Sequence, residues 1–186
     1  MREVFLLFVV SVSLFAQSPK EIRAMAKDGP SALPKLQELL HSPETSTRAE
    51  AVKAIIEISG AAGVDLLILA AQDNDPEIQI RAADGLVNFY LPGYARSGVG
   101  SSLRRAGNNL KAKFTGTDDR TVEPYVVVRP DVIQALGRLA RGGASMDSRA
   151  NAARAIGVLR GAAALPELIE ALRTKDGNVL YECLIA

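Results

Sequence analysis

The sequence of 186 residues has no tryptophan, one cysteine and one histidine, and only 5% of its residues are aromatic. Because Cys183 is alone, an intrachain disulfide is excluded. A single histidine, His41, excludes metal sites built from several histidines, and no Gly-x-Ser-x-Gly motif accompanies it. The sequence therefore predicts no catalytic residue, no metal and no cofactor, with His41 in solvent and Cys183 buried as a small apolar side chain.

The sequence also has no excess of positive or negative charge. The chain carries 22 basic and 21 acidic residues and a net charge of +1, which argues against nucleic acid as a partner. Apolar residues make up 48% of the chain, enough for a sizeable core. With few aromatic residues, that core must be built from alanine, leucine, isoleucine and valine, which suit closely packed helices.

The N-terminus has the layout of a secretory signal peptide. Arg2 supplies a positive charge, residues 4–15 are apolar, and Ala16 precedes the polar stretch "SPKE". The apolar run is shorter than the roughly 20 residues of a membrane-spanning helix. We expect residues 1–16 to be a signal peptide and the protein to be periplasmic or secreted; an uncleaved anchor and a buried N-terminal helix are the alternatives.

The rest of the chain repeats with a period of about 33 residues. "ALPKLQELL" at 32–40 and "ALPELIEAL" at 164–172 share six of nine residues and are separated by four such periods. Each unit predicts two helices, at 32–41 and 43–59, at 63–73 and 76–90, and at 131–141 and 146–160. Ser42 and Asp75 are the predicted N-caps of the second helices, each followed by Pro-Glu.

These units resemble HEAT-like repeats of the short, alanine-rich kind found in phycobilin lyases. The stretches that carry the resemblance are "DPEIQIRAADGL" at 75–86, "DSRANAARAIGVL" at 147–159 and "ALPELIEAL". It implies an all-α, right-handed α-solenoid in which the second helices line one face. We expect a helical cap and two repeats at 17–90 and two further repeats at 131–186, the last incomplete, as in a fragment of a longer protein.

One arginine recurs in the second helices. Arg48 and Arg81 lie one period apart, and Arg149 follows after approximately two further periods. We expect the three to share a structural role and to tie one unit to the next. Their predicted partners are backbone carbonyls or a carboxylate of the neighbouring unit, such as Asp65, Asp84 or Asp131.

Residues 91–130 interrupt the pattern. Their length fits either a diverged repeat over 98–130 or an inserted loop, and "YVVV" at 125–128 favours an extended strand. No acid occurs between Gly85 and Thr117, whereas five cations do. This segment supplies the candidate partner-binding residues, which are Tyr94, Arg96, Arg104, Arg105, Lys111, Lys113 and Tyr125.

We therefore expect a non-catalytic exported scaffold or adaptor that binds a protein through the solenoid surface and the 91–130 segment. The resemblance to chromophore lyases leaves a lyase-type enzyme or an enzyme accessory subunit as an alternative. The basic segment 96–113 leaves association with an anionic envelope surface as another.

Overall fold

The computed structural model describes residues 18–58, 60–94 and 120–186, and within these ranges the chain forms helices and connecting turns without a strand. The predicted signal peptide and most of the 91–130 segment lie outside the described residues. No described helix is both long and apolar enough to cross a membrane. In chain order the helices are α1 (Pro19–Ala24), a 3-10 helix (Met25–Ala32), α2 (Leu33–Leu39), α3 (Thr45–Ile58), α4 (Ala61–Ala70), α5 (Pro76–Tyr90), α6 (Pro130–Gly142), α7 (Met146–Val158), a 3-10 turn (Ala162–Ala164), α8 (Leu165–Ala171) and α9 (Gly177–Ile185).

The helices after α1 form consecutive antiparallel pairs, α2/α3, α4/α5, α6/α7 and α8/α9. The second helix of each pair lies against the second helix of the next, so that α3, α5, α7 and α9 form one row, and α1 closes this row by packing on α3. The first helices form a parallel row in which α4 contacts α6 and α6 contacts α8. This arrangement is an α-solenoid, and it confirms the predicted fold class.

Small residues allow the rows to approach closely. A Cβ atom on Gly85 of α5 would lie 2.6 Å from Cγ1 of Ile56 on α3, so a larger residue there would push the two helices apart. Fully buried aliphatic side chains such as Ile22, Leu36 and Leu136 fill the space between the rows. The core is therefore aliphatic, as the scarcity of aromatic residues predicts.

Short polar residues begin the second helices. The Asp75 carboxylate accepts from the backbone N–H groups of Glu77 (2.9 Å) and Ile78 (3.2 Å), as predicted. The prediction for Ser42 is wrong, because α3 begins at Thr45 and the Ser42 hydroxyl accepts from the Glu44 N–H within the loop. At the N-terminus, Ser18 and Glu21 form a capping box at the start of α1.

The helix starts also correct the register between units. Thr45 and Pro76 begin α3 and α5, and Met146 and Gly177 begin α7 and α9 with the same spacing. The fourth residues of these helices are Arg48, Gln79, Arg149 and Leu180. The structural equivalent of Arg48 is therefore Gln79, and Arg81 lies further along its helix.

The stack is continuous past the irregular segment. Helix α5 packs directly on α7, so no repeat stands between these two units. Neighbouring units are joined through residues 59–60, 91–129 and 159–164. The direct packing fits an insertion in one turn between units, and it leaves no place in the row for a diverged repeat. The predicted strand at 125–128 is wrong, because residues 126–129 follow a turn at residues 124–125 without joining a sheet.

Candidate interaction surface

The inserted segment leaves and rejoins the solenoid at fixed points. After α5, the backbone N–H of Gly93 donates to the Asn88 side chain (3.0 Å), and Gly93 takes a φ of 94° that favours glycine. On return, the N–H of Val122 donates to the carbonyl of Val158 at the end of α7 (2.9 Å), and Val122 is buried. Both ends of the insertion are therefore held by the second-helix row.

Arg129 makes the last attachment before α6. Its backbone N–H donates to the hydroxyl of Tyr90 (3.1 Å), the last residue of α5. Its guanidinium Nη2 lies 2.6 Å from a carboxylate oxygen of Asp65 on α4 and 2.6 Å from one of Asp131 on α6. The hydrogen bond from Arg129 lowers the pKa of Asp131. Two of the acids predicted as partners of the repeated arginines thus bind Arg129 instead.

Between these attachments, side chains alternate between core and solvent. Val126 and Val128 are partly buried and pack against the core, whereas Tyr125 is 81% exposed and Val127 is 88% exposed. Tyr125 and Val127 therefore present two neighbouring apolar side chains to solvent on a segment fixed at both ends. We call residues 120–129 the stem surface.

The predicted binding residues divide into two groups. Tyr125 is on the stem surface, and Tyr94 is partly buried, packs against the core, and follows α5. A third tyrosine near this segment, Tyr90, accepts a hydrogen bond from the Arg129 backbone. The other predicted binding residues, Arg96, Arg104, Arg105, Lys111 and Lys113, lie outside the described residues.

Arg48 ties two units together, as predicted, but through a different acid. Its Nε and Nη2 atoms lie 2.7 Å and 3.1 Å from the two carboxylate oxygens of Asp73, in the loop of the next unit. Its Nη1 donates to the carbonyls of Ser42 and Pro43 in its own loop. This bidentate pair is largely buried, with 15% of the Arg48 side chain and 11% of the Asp73 side chain exposed.

Gln79, which sequence reasoning missed, does the same at the next junction. Its side-chain amide donates to the carbonyl of Asp73 in its own loop (2.6 Å) and accepts from the N–H of Ala144 in the next unit's loop (2.8 Å). The period read from the sequence places Arg81, not Gln79, at the position equivalent to Arg48. Gln79 could therefore have been found only from the positions at which the helices start.

The expected common role of the three arginines is therefore wrong at two of them. Arg81 pairs with Glu77 on its own helix (2.8 Å). Arg149 donates to the carbonyl of Ala140 in its own unit (3.2 Å). The third predicted acid, Asp84, accepts from Asn151 on α7 (2.9 Å), so it joins two units.

Charged side chains also connect neighbours along the second-helix row. Arg23 of α1 donates to Glu50 of α3, which Lys53 also contacts at 2.5 Å. The hydrogen bonds from Arg23 and Lys53 lower the pKa of Glu50 to about 2, against the opposing effect of its burial. Arg154 of α7 likewise donates to the buried Glu182 of α9. Sequence analysis predicted none of these pairs.

The other candidate features of the described residues are His41, two cavities and Cys183. His41 is exposed, as predicted, beside an open depression of about 340 Å³ lined in part by Arg48 and Asp73, which bind each other there. A second cavity, between α3, α4 and α5, holds about 10 Å³, the room for one water molecule. Cys183 is buried, as predicted, and burial raises the pKa of its thiol.

The matches to protein families agree with this architecture. Residues 22–97 match the family of HEAT repeats, and residues 148–174 match the PBS lyase HEAT-like repeat. No curated protein matches the chain. A crystal structure of an engineered protein is similar at 23% identity, with a TM-score of 0.30, over 90% of this chain and 87% of the other. The two family matches fall on the paired helices, and the chain is a HEAT-like repeat protein.

Proposed function

We propose that this protein is a non-catalytic, exported scaffold that binds a protein partner through the stem surface and the adjoining insertion. The observation that carries the proposal is the stem surface, where Tyr125 and Val127 are held in solvent by a segment attached at both ends. HEAT repeats are in general scaffolds for protein interaction, which supports the same reading. Binding loops on rigid scaffolds are a common arrangement, because the scaffold limits the entropy lost on binding.

Tyrosine and valine supply apolar contact area, and tyrosine adds a hydroxyl that can form a hydrogen bond at the rim of an interface. The cations of the insertion add attraction for an acidic partner. The partner that fits both features is a protein with an apolar patch beside acidic side chains.

The test is a pull-down from the producing cell with the tagged mature chain and two variants. One variant carries Tyr125→Ser with Val127→Ser, and the other reverses Arg104, Arg105, Lys111 and Lys113 to glutamate. We expect each to lose a protein that the wild type retains, with an unchanged melting temperature. The matched control is Leu165→Ser with Ile169→Ser, which removes two exposed aliphatic side chains from α8.

Retention of every partner by both variants would overturn the scaffold proposal. Sedimentation of the wild type with anionic vesicles, lost in the charge-reversed variant, would replace it by envelope association. Export is tested separately by N-terminal sequencing of the protein from its own cell, which we expect to begin at Gln17; recovery of intact Met1 from the cytoplasm would contradict export.

A further inference from the structure

The same two positions of the second helices meet at the α7/α9 and α5/α7 junctions of the row. At the α7/α9 junction Arg154, the ninth residue of α7, donates to Glu182, the sixth residue of α9. At the α5/α7 junction Asp84, the ninth residue of α5, accepts from Asn151, the sixth residue of α7. In both places a donor on one helix meets an acceptor on the other.

The α3/α5 junction has the same geometry. A Cβ atom on Gly85, the tenth residue of α5, would lie 2.6 Å from Ile56, the twelfth residue of α3. At the α7/α9 junction a Cβ atom on Gly157, the twelfth residue of α7, would lie 2.9 Å from Ala186, the tenth position counted from Gly177. The same positions approach closely at both junctions, so the ninth residue of α3 is placed toward the sixth residue of α5.

These two residues are Lys53 and Arg81, and both are cations. Each turns back to an acid on its own helix, Lys53 to Glu50 (2.5 Å) and Arg81 to Glu77 (2.8 Å). Glu50 is already shared with Arg23. The Nε atom of Arg81 is buried and, in the described part of the chain, has no hydrogen-bond partner.

We propose that Lys53 and Arg81 form a binding site for an oxyanion, a carboxylate or a phosphate group. The two side chains are each 30% exposed, so a ligand can reach them from solvent. An anion between them replaces the acceptor that the other junctions provide, and a guanidinium drawn toward it gains a partner for Nε. The anion site does not depend on the proposed scaffold function. Only the source of the anion, an acidic side chain of the protein partner, rests on that function.

The experiment follows the Nε–Hε signal of Arg81 in ¹H–¹⁵N spectra of the mature chain during titration, with chloride holding the ionic strength constant. One arm uses inorganic phosphate, and the other uses a short peptide of acetylated glutamates. We expect a saturable shift of the Arg81 signal and a rise in melting temperature of a few degrees in both arms.

Arg81→Glu places a carboxylate opposite Lys53, as Glu182 lies opposite Arg154. The variant also exchanges the pair with Glu77 for two carboxylates one turn apart, which offsets the gain opposite Lys53, and its melting temperature should no longer respond to phosphate. The matched control is Arg138→Glu, which makes the same change of charge at an exposed position of α6 and should keep the response. If Arg81→Glu fails to fold, Lys53→Met should remove the saturable shift of the Arg81 signal.

A linear shift without saturation, or an equal response in Arg81→Glu and Arg138→Glu, would overturn the site. Saturation by phosphate alone would support the site with a free oxyanion as its ligand, and would leave the pull-down result on the scaffold function unaffected.

Discussion

The loops within each unit and the turns between units lie at opposite edges of the solenoid, and they differ in what crosses from one unit to the next. At the loop edge, the Arg48 pair with Asp73 and the Gln79 bonds to Asp73 and Ala144 join the loops of three successive units. At the turn edge, the connections range from residues 59–60 to residues 91–129.

The difference has a physical cause. At the loop edge, Arg48 and Gln79 each form hydrogen bonds to two loops at once, so a change of loop length would leave donors and acceptors unpaired. At the turn edge, the described ends of the insertion are attached through Gly93, Val122 and Arg129, and the entropic cost of a longer loop grows slowly with length. An insertion is therefore tolerated at the second edge and would be costly at the first.

The largest loss of stability should come from breaking the pair at the loop edge. Arg48→Met leaves the Asp73 carboxylate, 11% exposed, without its guanidinium, and we expect the free energy of unfolding to fall by about 3 kcal/mol. Urea denaturation measures it. Arg173→Met, at a residue whose side chain is 78% exposed, is the control and should change stability by less than about 0.5 kcal/mol. Equal effects of the two variants would show that the Arg48–Asp73 pair contributes no more to stability than an exposed ion pair does.

Gln79→Leu should have the next largest effect at the same edge. Leucine retains most of the side-chain volume but leaves the Asp73 carbonyl and the Ala144 N–H without partners, which costs about 2 kcal/mol. Gln134→Leu, at an exposed position of α6, controls for the change of residue type. A gain in stability from Gln79→Leu would show that burial of the amide costs more than its bonds supply.

The paired helices and both rows could be predicted from the sequence, because they depend on apolar periodicity and on helix caps such as Asp75. The contacts at the loop edge could not be predicted, for a specific reason. The period read from the sequence aligns Arg48 with Arg81, whereas the helix starts align Arg48 with Gln79, and this offset turns a side chain to another face of the helix. The pairs of Arg154 and Arg23 with glutamates join distant parts of the chain, so local patterns could not predict them.

Arg81→Ala should cost much less than Arg48→Met, in contrast to the equal roles that the repeat predicts. The variant removes one partly exposed pair within a helix, which contributes about 0.5 kcal/mol, and also one of two cations at the α3/α5 junction. We therefore expect a change within about 1 kcal/mol in urea denaturation. A loss comparable to that of Arg48→Met would mean that Arg48 and Arg81 have equivalent roles, as the period read from the sequence predicts.

The smallest effect should follow the largest change in sequence. Replacing residues 96–118 by a Gly-Ser linker of about ten residues leaves Val122, Arg129 and the α5/α7 contact in place, and such a linker can still span about 33 Å. Because loop-closure entropy depends only on the logarithm of length, the free energy of unfolding should change by about 1 kcal/mol or less. The same linker inserted between Asn74 and Asp75, at the loop edge, separates the N-cap of α5 from Asp73 and should destabilise the protein far more. If the replacement at the turn edge instead lowers stability by more than about 2 kcal/mol, residues 96–118 contribute to the fold as a repeat would, and the insertion interpretation is wrong.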